Sequence, residues 1–270
     1  MGYIIGAFNT HEFSGVGKHD IGVLADIILT ERFDIVALQE VMSPVALDLL
    51  KRRLPGWEGC HGKPGNGRSG DFGLGFLWNT RRIRECSKDS QPVIFSQYKS
   101  NIRMRRNPLY GRFTPSGLPG GAFFEIRLVD VHLHWGSEAN PVDIYQRTEE
   151  FRLITNEIHD YINTHRYGDN MPAYTIILGD YNLLCFWCRQ NTKPNQAVIT
   201  KQEEKTTLSS NKDDFANDYD HFSYDENRIT EKNARIERVN SVQKYCQNDF
   251  KKHREKVSDH VPIKLELILN

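Results

Sequence analysis

The feature that most constrains this chain is a repeated pattern in which a short apolar run of strand length ends in polar side chains able to do chemistry. Tyr3–Phe8 is followed by Asn9, and Asp34–Leu38 by Gln39 and Glu40. A run over 122–133 ends near His132, and Tyr174–Leu178 is followed by Asp180 and Asn182. Asp259 and His260 stand just before a last run at 261–268. Runs rich in Ile, Val, Leu and Phe predict strands, as do 72–79 and 219–224. Between them, Ile21, Leu24, Ala25, Ile28 and Leu29 recur at helical spacing and predict an amphipathic helix over 19–31. Residues 44–53, with Pro44 near the start, and 141–165, carrying Ile144, Phe151, Ile154, Ile158 and Ile162, read as helices. Alternating strands and helices define an α/β chain. From about 189 to 218 the sequence turns polar and reads as a long surface loop or insertion. No repeat or Pro/Gly-rich linker divides the 270 residues, so one domain over 1–270 is expected.

Polar residues on this many strand ends gather along one sheet edge, where sites are usually built. Asn9, Glu40, Asp180, Asn182 and Asp259 offer oxygen donors, which select Mg²⁺, Mn²⁺ or Ca²⁺ over zinc. His132 and His260 can hydrogen-bond phosphate or move a proton near neutral pH, and a neighbouring carboxylate such as Asp220 would fix a ring tautomer. Such a set suits attack of water on phosphorus, and no P-loop, GxSxG or GxGxxG fingerprint competes with it.

Six segments carry a family resemblance: Phe8-Asn9, Ile35-Val36-Ala37-Leu38-Gln39-Glu40, Val131-His132-Leu133, Leu178-Gly179-Asp180-Tyr181-Asn182, Tyr219-Asp220 and Ser258-Asp259-His260-Val261-Pro262. In this order, over residues 8 to 263, the chain resembles the endonuclease/exonuclease/phosphatase superfamily, the deoxyribonuclease-I-like proteins. The resemblance implies a four-layer α/β/β/α sandwich with two packed mixed β-sheets. It makes Glu40 the main metal ligand, assisted by Asn9 and Asp259, with Mg²⁺ as cofactor and Mn²⁺ or Ca²⁺ as substitutes. Asp180 and Asn182 would orient the water and bind phosphate, and His132 and His260, the latter paired with Asp220, would be the catalytic histidines. Arg106-Asn107-Pro108 resembles the Arg-x-Pro segment of deoxyribonucleases, which makes Arg106 a phosphate ligand suited by its forked donors. The chain departs from the family pattern in three places. The acid nearest the position supporting the first histidine is Asp71, His134 stands where bacterial relatives often have Asp, and the stretch after Asn182 is longer than the minimal core.

The formal net charge is zero, so no global field draws in nucleic acid. Cations nevertheless cluster at Lys99, Arg103, Arg105, Arg106 and Arg112, and again at Lys244, Lys251, Lys252, Arg254 and Lys256. If both clusters face the catalytic edge, they would track the phosphates of a polymer. The function expected is therefore a DNA endonuclease, with nucleic acid as its partner and no obligate protein partner. A phosphatase or phospholipid phosphodiesterase of the inositol phosphate or sphingomyelin type is the second reading, and a non-catalytic binding module the third, since fold alone does not choose the substrate. No apolar run reaches the roughly 20 residues of a membrane span. The N-terminal segment has neither a basic n-region nor a cleavage site, so a cytoplasmic location is expected. Five cysteines argue against a full disulfide framework, and Cys185-x-x-Cys188 reads as ordinary thiols in a loop. His134 and His221 read as ordinary polar positions, Trp135 and Trp187 as rim or core, and Tyr181 as inward-packing. Arg147 is expected to pair with Asp143 or Glu150 on its own helix.

Overall fold

A computed structural model describes residues 2–63, 72–86, 92–99, 101–117, 124–167, 171–193 and 197–269. Two mixed sheets pack face to face. The first has strand order β12-β13-β1-β2-β4-β3, built from β1 (Gly2–Phe13), β2 (Ile35–Val41), β3 (Trp57–Gly62), β4 (Gly73–Asn79), β12 (Ala234–Arg238) and β13 (Ile263–Ile268). The second runs β10-β11-β9-β8-β7-β5, from β5 (Ile83–Glu85), β7 (Leu109–Pro115), β8 (Glu125–His132), β9 (Ala173–Asp180), β10 (Val198–Lys201) and β11 (Asp220–Asp225), with β6 (Val93–Ile94) paired to β7. β1 and β2 are parallel, as are β8 and β9, and the other pairs are antiparallel.

Side-chain alternation builds the layers. Tyr3, Ile5, Ala7, Ile35, Ala37 and Phe76 meet Ile126, Leu128, Ile176, Leu178 and Phe222 of the other sheet in one buried core. The alternate residues face outward to helices. Val36, Leu38 and Phe8 pack under α1 (Ile21–Thr30) and α2 (Pro44–Lys51). Val129, Val131 and Ile177 pack under α3 (Pro141–Leu153), a π-helical turn at Ile154–Ile158 and α4 (His159–Thr164). The expected four-layer sandwich is thus the observed one.

Parity also positions the site. Asn9 continues the inward series 3, 5, 7 on β1, and Gln39 continues 35, 37 on β2. Asp130 and His132 continue 126, 128 on β8; Asp180 continues 176, 178 on β9; Asp220 precedes Phe222 and Tyr224 on β11. Each therefore points into the mouth between the sheets. His132 stands opposite Asp180 in register, and Asp180 opposite Asp220.

The polar stretch at 189–218 is not a structureless loop. It begins within α5 (Cys185–Asn191), contains β10, and closes through bridges of Thr207 to His260 and Leu208 to Phe215. Thr200, Thr206 and Thr207 are buried there because their hydroxyls find partners, among them Ser223 for Thr200. The expected helix over 141–165 is interrupted by the π turn. Strands β3, β5, β6, β7 and β12, and the short helices α6 (Ser241–Cys246) and α7 (Phe250–Lys256), were not anticipated. Among the described residues no helix is long and apolar enough to cross a membrane.

Candidate active site

The cleft between the sheets brings Asn9, Glu40, His132, Asp180, Asp220 and His260 together. Asn9 Nδ2 donates to Glu40 Oε1 at 3.0 Å and to Asp180 Oδ2 at 2.9 Å, so one amide spans two strands of the first sheet and one of the second. His132 Nε2 lies 3.8 Å from Glu40 Oε1 and 3.6 Å from Asp180 Oδ2. His260 Nε2 lies 3.8 Å from the same Asp180 oxygen. His260 Nδ1 donates to Asp220 Oδ2 at 2.8 Å, which turns Nε2 toward the cleft.

Local backbone geometry aims these groups. Glu40 has φ +59°, a left-handed conformation costly for a side chain of this kind, at the register shift between Gln39 and Val41. Its Oε2 accepts from the Glu12 amide at 3.0 Å. Asn182 also has φ +49°, and its amide donates to Asp180 Oδ1 at 2.9 Å, an Asx-type turn that Asn tolerates. Gly179, just before Asp180, has φ +130°, and a Cβ there would collide with the Val131 carbonyl oxygen. Ser258 fastens the last turn: its hydroxyl donates to the Asn9 carbonyl at 2.7 Å and accepts from the His260 amide at 3.0 Å.

The environments push the two imidazoles apart. Burial, with Arg106 and His260 nearby, holds His132 well below the usual imidazole range. Burial opposes charge on His260 as well, but the carboxylates of Asp220 and Asp180 outweigh it and raise that ring well above the usual range. Burial pushes Asp180 up to about 7 against the pull of His260. Burial would raise Asp259 too, yet His11, whose Nδ1 lies 3.1 Å from Oδ1, and His260 hold it down at about 2. The cleft thus pairs a neutral ring with a charged one, an arrangement suited to proton transfer.

Arg106 reaches the cleft rim: its Nη1 donates to the carbonyls of Leu133 at 3.0 Å and His132 at 3.3 Å. Its guanidinium lies 5.1 Å from the centre of the Phe72 ring, itself 5.8 Å from His132. His132 Nδ1 has no hydrogen-bond partner among the described residues, and Asp71 lies outside them.

Several expectations need correction. Arg147 does not pair along its helix; it is buried, and Nη1 donates to the Asn182 carbonyl at 2.7 Å. Asp143 instead takes His134 at 3.1 Å, and Glu150 accepts from the His134 and Arg105 amides. Helix α3 is therefore a clamp behind the site rather than a solvated charge ladder. Arg112 does not face the catalytic edge: it is buried against Glu125 at 2.8 Å. Lys244 binds Glu31 at 2.6 Å, before β2 begins and so at the end away from Glu40. Arg254 is held by the Ser209 carbonyl at 2.6 Å. His221 is buried between the carbonyls of Gln202 and Leu183, a structural position. Tyr181 packs inward as expected and donates to Ser223 Oγ at 3.0 Å, whereas Trp135 is 70% exposed on the loop after His132. Sequence reasoning missed the Gln39–Asp130 pair, 2.6 Å apart under the cleft, although the inward parity of both was legible. His11 carried no signal, because only the fold brings it to Asp259.

Cys185 and Cys188 lie on α5, not in a loop, and both are buried; burial raises both thiols. Replacing both with Ser should leave turnover within a few-fold, and metal analysis should find no zinc lost. Stoichiometric zinc that vanishes on this double substitution would contradict the assignment.

Two mixed sheets back to back, helices outside and a carboxylate–amide–imidazole cluster in the mouth define the deoxyribonuclease-I-like class of fold, that of the endonuclease/exonuclease/phosphatase proteins. The resemblance in the sequence motifs is borne out in the fold. No family model matches the sequence, and no curated protein matches it. Solved structures do. TDP2 from D. rerio, complexed with single strand DNA product, aligns over 99% of both chains with TM-score 0.63 and 16% identity. An endonuclease/exonuclease/phosphatase family protein from Bacteroides thetaiotaomicron aligns over 100% of this chain and 98% of that one, with TM-score 0.63 and 14% identity. A mannosyl-6-phosphatase from the same organism aligns over 99% and 100%, with TM-score 0.61 and 15% identity.

Proposed function

We propose that the chain, as a single endonuclease/exonuclease/phosphatase domain, is a divalent-metal-dependent phosphoesterase, specifically a Mg²⁺-dependent DNA endonuclease. The observation that carries the phosphoesterase reading is the convergence of Glu40, His132 and His260 within 4 Å of Asn9 or Asp180 in one cleft. Among the described residues no group of three His, Cys, Asp or Glu side chains is placed to hold a metal ion by itself. What supports Mg²⁺ is the chemistry of the donor set: Glu40, Asn9 and Asp259 offer hard oxygens, and Mg²⁺ takes one or two carboxylates and keeps several waters. Glu40 would be its main ligand, with Asn9 and Asp259 assisting; Asp259, held ionised, supplies a second hard oxygen donor. Bound there, the ion would polarise a phosphoryl oxygen. His260, kept charged by Asp220, would donate from Nε2 to the phosphate, and neutral His132 could accept a proton. Asp180 and Asn182 would orient the water, and Arg106 would hold phosphate from the rim.

DNA is favoured by the cations that remain exposed on the segments leading into site residues. Arg103 and Arg105, just before Arg106, are exposed, as are Lys251 and Lys252 on the helix before Asp259, and exposed Trp135 offers an aromatic face to a base. Plasmid nicking measured against salt is the test. Activity should fall steeply with salt, and Arg103→Ala with Arg105→Ala should flatten that slope by roughly one unit per lost contact. Arg106→Ala should lower kcat more than either. No nicking, with rapid hydrolysis of a sugar phosphate or phospholipid, would replace the nuclease by a phosphatase or phospholipid phosphodiesterase. No turnover of any phosphate ester would leave a binding module.

A further inference from the structure

The opposite edge of the second sheet carries excess buried positive charge. Arg112 on β7 and Arg127 on β8 are direct cross-strand partners and both are buried. Like charges in such positions repel. A single carboxylate, Glu125, holds them: Arg112 Nε donates at 2.8 Å and Nη2 at 3.1 Å, and Arg127 Nη2 at 3.0 Å. Burial alone would raise the Glu125 carboxyl, but the two guanidiniums keep it lowered and therefore charged. The Tyr167 ring lies under both, 3.6 Å from the Arg112 guanidinium carbon and 5.1 Å from that of Arg127. Among the described residues two guanidiniums share this one carboxylate, so the cluster holds a net positive charge out of water, an arrangement that a further negative charge would stabilise.

A cavity of about 360 Å³ opens beside this cluster. Its walls include Arg127, His165, Arg166 and Arg228, and among the described residues no carboxylate lines it. Beyond Glu125 on Arg127, Asp225 lies 3.9 Å from Arg228 Nε. Arg127 spends Nη1 on the carbonyls of Ile162 and His165, and Arg228 Nη1 donates to that of Ala173 at 3.4 Å, so the donors left at the opening are those of Arg166 and the rest of the Arg228 fork, both side chains being exposed. The cavity is not part of the cleft. Arg127 and His132 lie on opposite faces of β8 and, at about 3.3 Å per residue, roughly 16 Å apart along it.

We propose that this cavity is a binding site for a phosphate-type dianion, gripped by Arg166 and Arg228 and attracted by the charge of the Arg112–Glu125–Arg127 cluster. Arg is the residue best matched to phosphate oxygens, and the cavity has room for a substituent on the phosphate. The site stands independently of the activity assigned to the cleft.

Calorimetric titration of the full chain in chelator tests it, with inorganic phosphate in one arm and glycerol phosphate in the other. Binding of either should survive His132→Ala with His260→Ala, and weaken at least ten-fold in Arg166→Glu with Arg228→Glu. Phosphate binding alone points to the free ion, and tighter binding of glycerol phosphate points to an esterified ligand; both support the site. Should the double variant misfold, Arg166→Glu alone, at an exposed position, must still weaken binding. No binding by the wild type at tens of millimolar overturns the proposal. So does binding that disappears with the two histidines yet persists in Arg166→Glu with Arg228→Glu.

Discussion

Glu40→Ala is expected to cut Mg²⁺-dependent turnover by roughly 10³-fold, the scale of losing a preorganised electrostatic partner of the transition state. The Glu40 carboxylate spans the Asn9 amide and the Glu12 backbone amide, and the side chain keeps a small opening to solvent, 13% exposed, through which an ion can be reached. The backbone offers a second readout. Glu40 sits at φ +59°, where a non-glycine residue costs about 1–2 kcal/mol. Ala keeps that strain and Gly removes it, so Glu40→Gly should be as inactive as Glu40→Ala yet melt at a higher temperature. Rates with and without chelator, beside melting curves, check both points. Full activity in Glu40→Ala, or in excess chelator, would end the metal-dependent scheme.

The histidines give the next largest effect. His132→Ala and His260→Ala should each lower kcat by at least about 10²-fold, the usual scale for losing proton-transfer or electrostatic help. Both face the Asp180 carboxylate, at 3.6 Å and 3.8 Å, so they act on one centre. The double variant should therefore lose less than the two losses multiplied. His134→Ala is the control: its ring pairs with Asp143 outside the cleft, and its removal should be mild. A severe His134 variant beside a mild His132 variant would mean that the motif at the end of β8 had been aligned to the wrong histidine.

How much of this was legible in the sequence differs from element to element. Runs such as Ile35–Leu38 and Thr175–Leu178 are buried on both faces, so they read as unbroken apolar strands, and the polar residues at their ends marked the site edge. β7 was not legible, because buried Arg112 and Thr114 interrupt its apolar pattern. Their burial rests on Glu125 and on the Phe124 carbonyl, partners that only strand pairing supplies. β10 was hidden in the same way by Thr200, whose hydroxyl meets Ser223 across β11.

The sequence by itself determined the alternation of strands and helices, the oxygen-and-imidazole character of the strand ends, and, through period-two alternation, that Asn9, His132, Asp180 and Asp220 face between the sheets, whereas Glu40 is out of that series and is turned in by its positive φ at the register shift. Those properties are local and follow from side-chain chemistry and backbone geometry. Only the tertiary structure decided where each charge went. It buried Arg147 against Asn182, paired Arg112 with Glu125, carried Lys244 to Glu31 and left Arg103 and Arg105 exposed. A charge takes whichever partner the packed layers place within a few ångströms, and that partner lies far away in the chain.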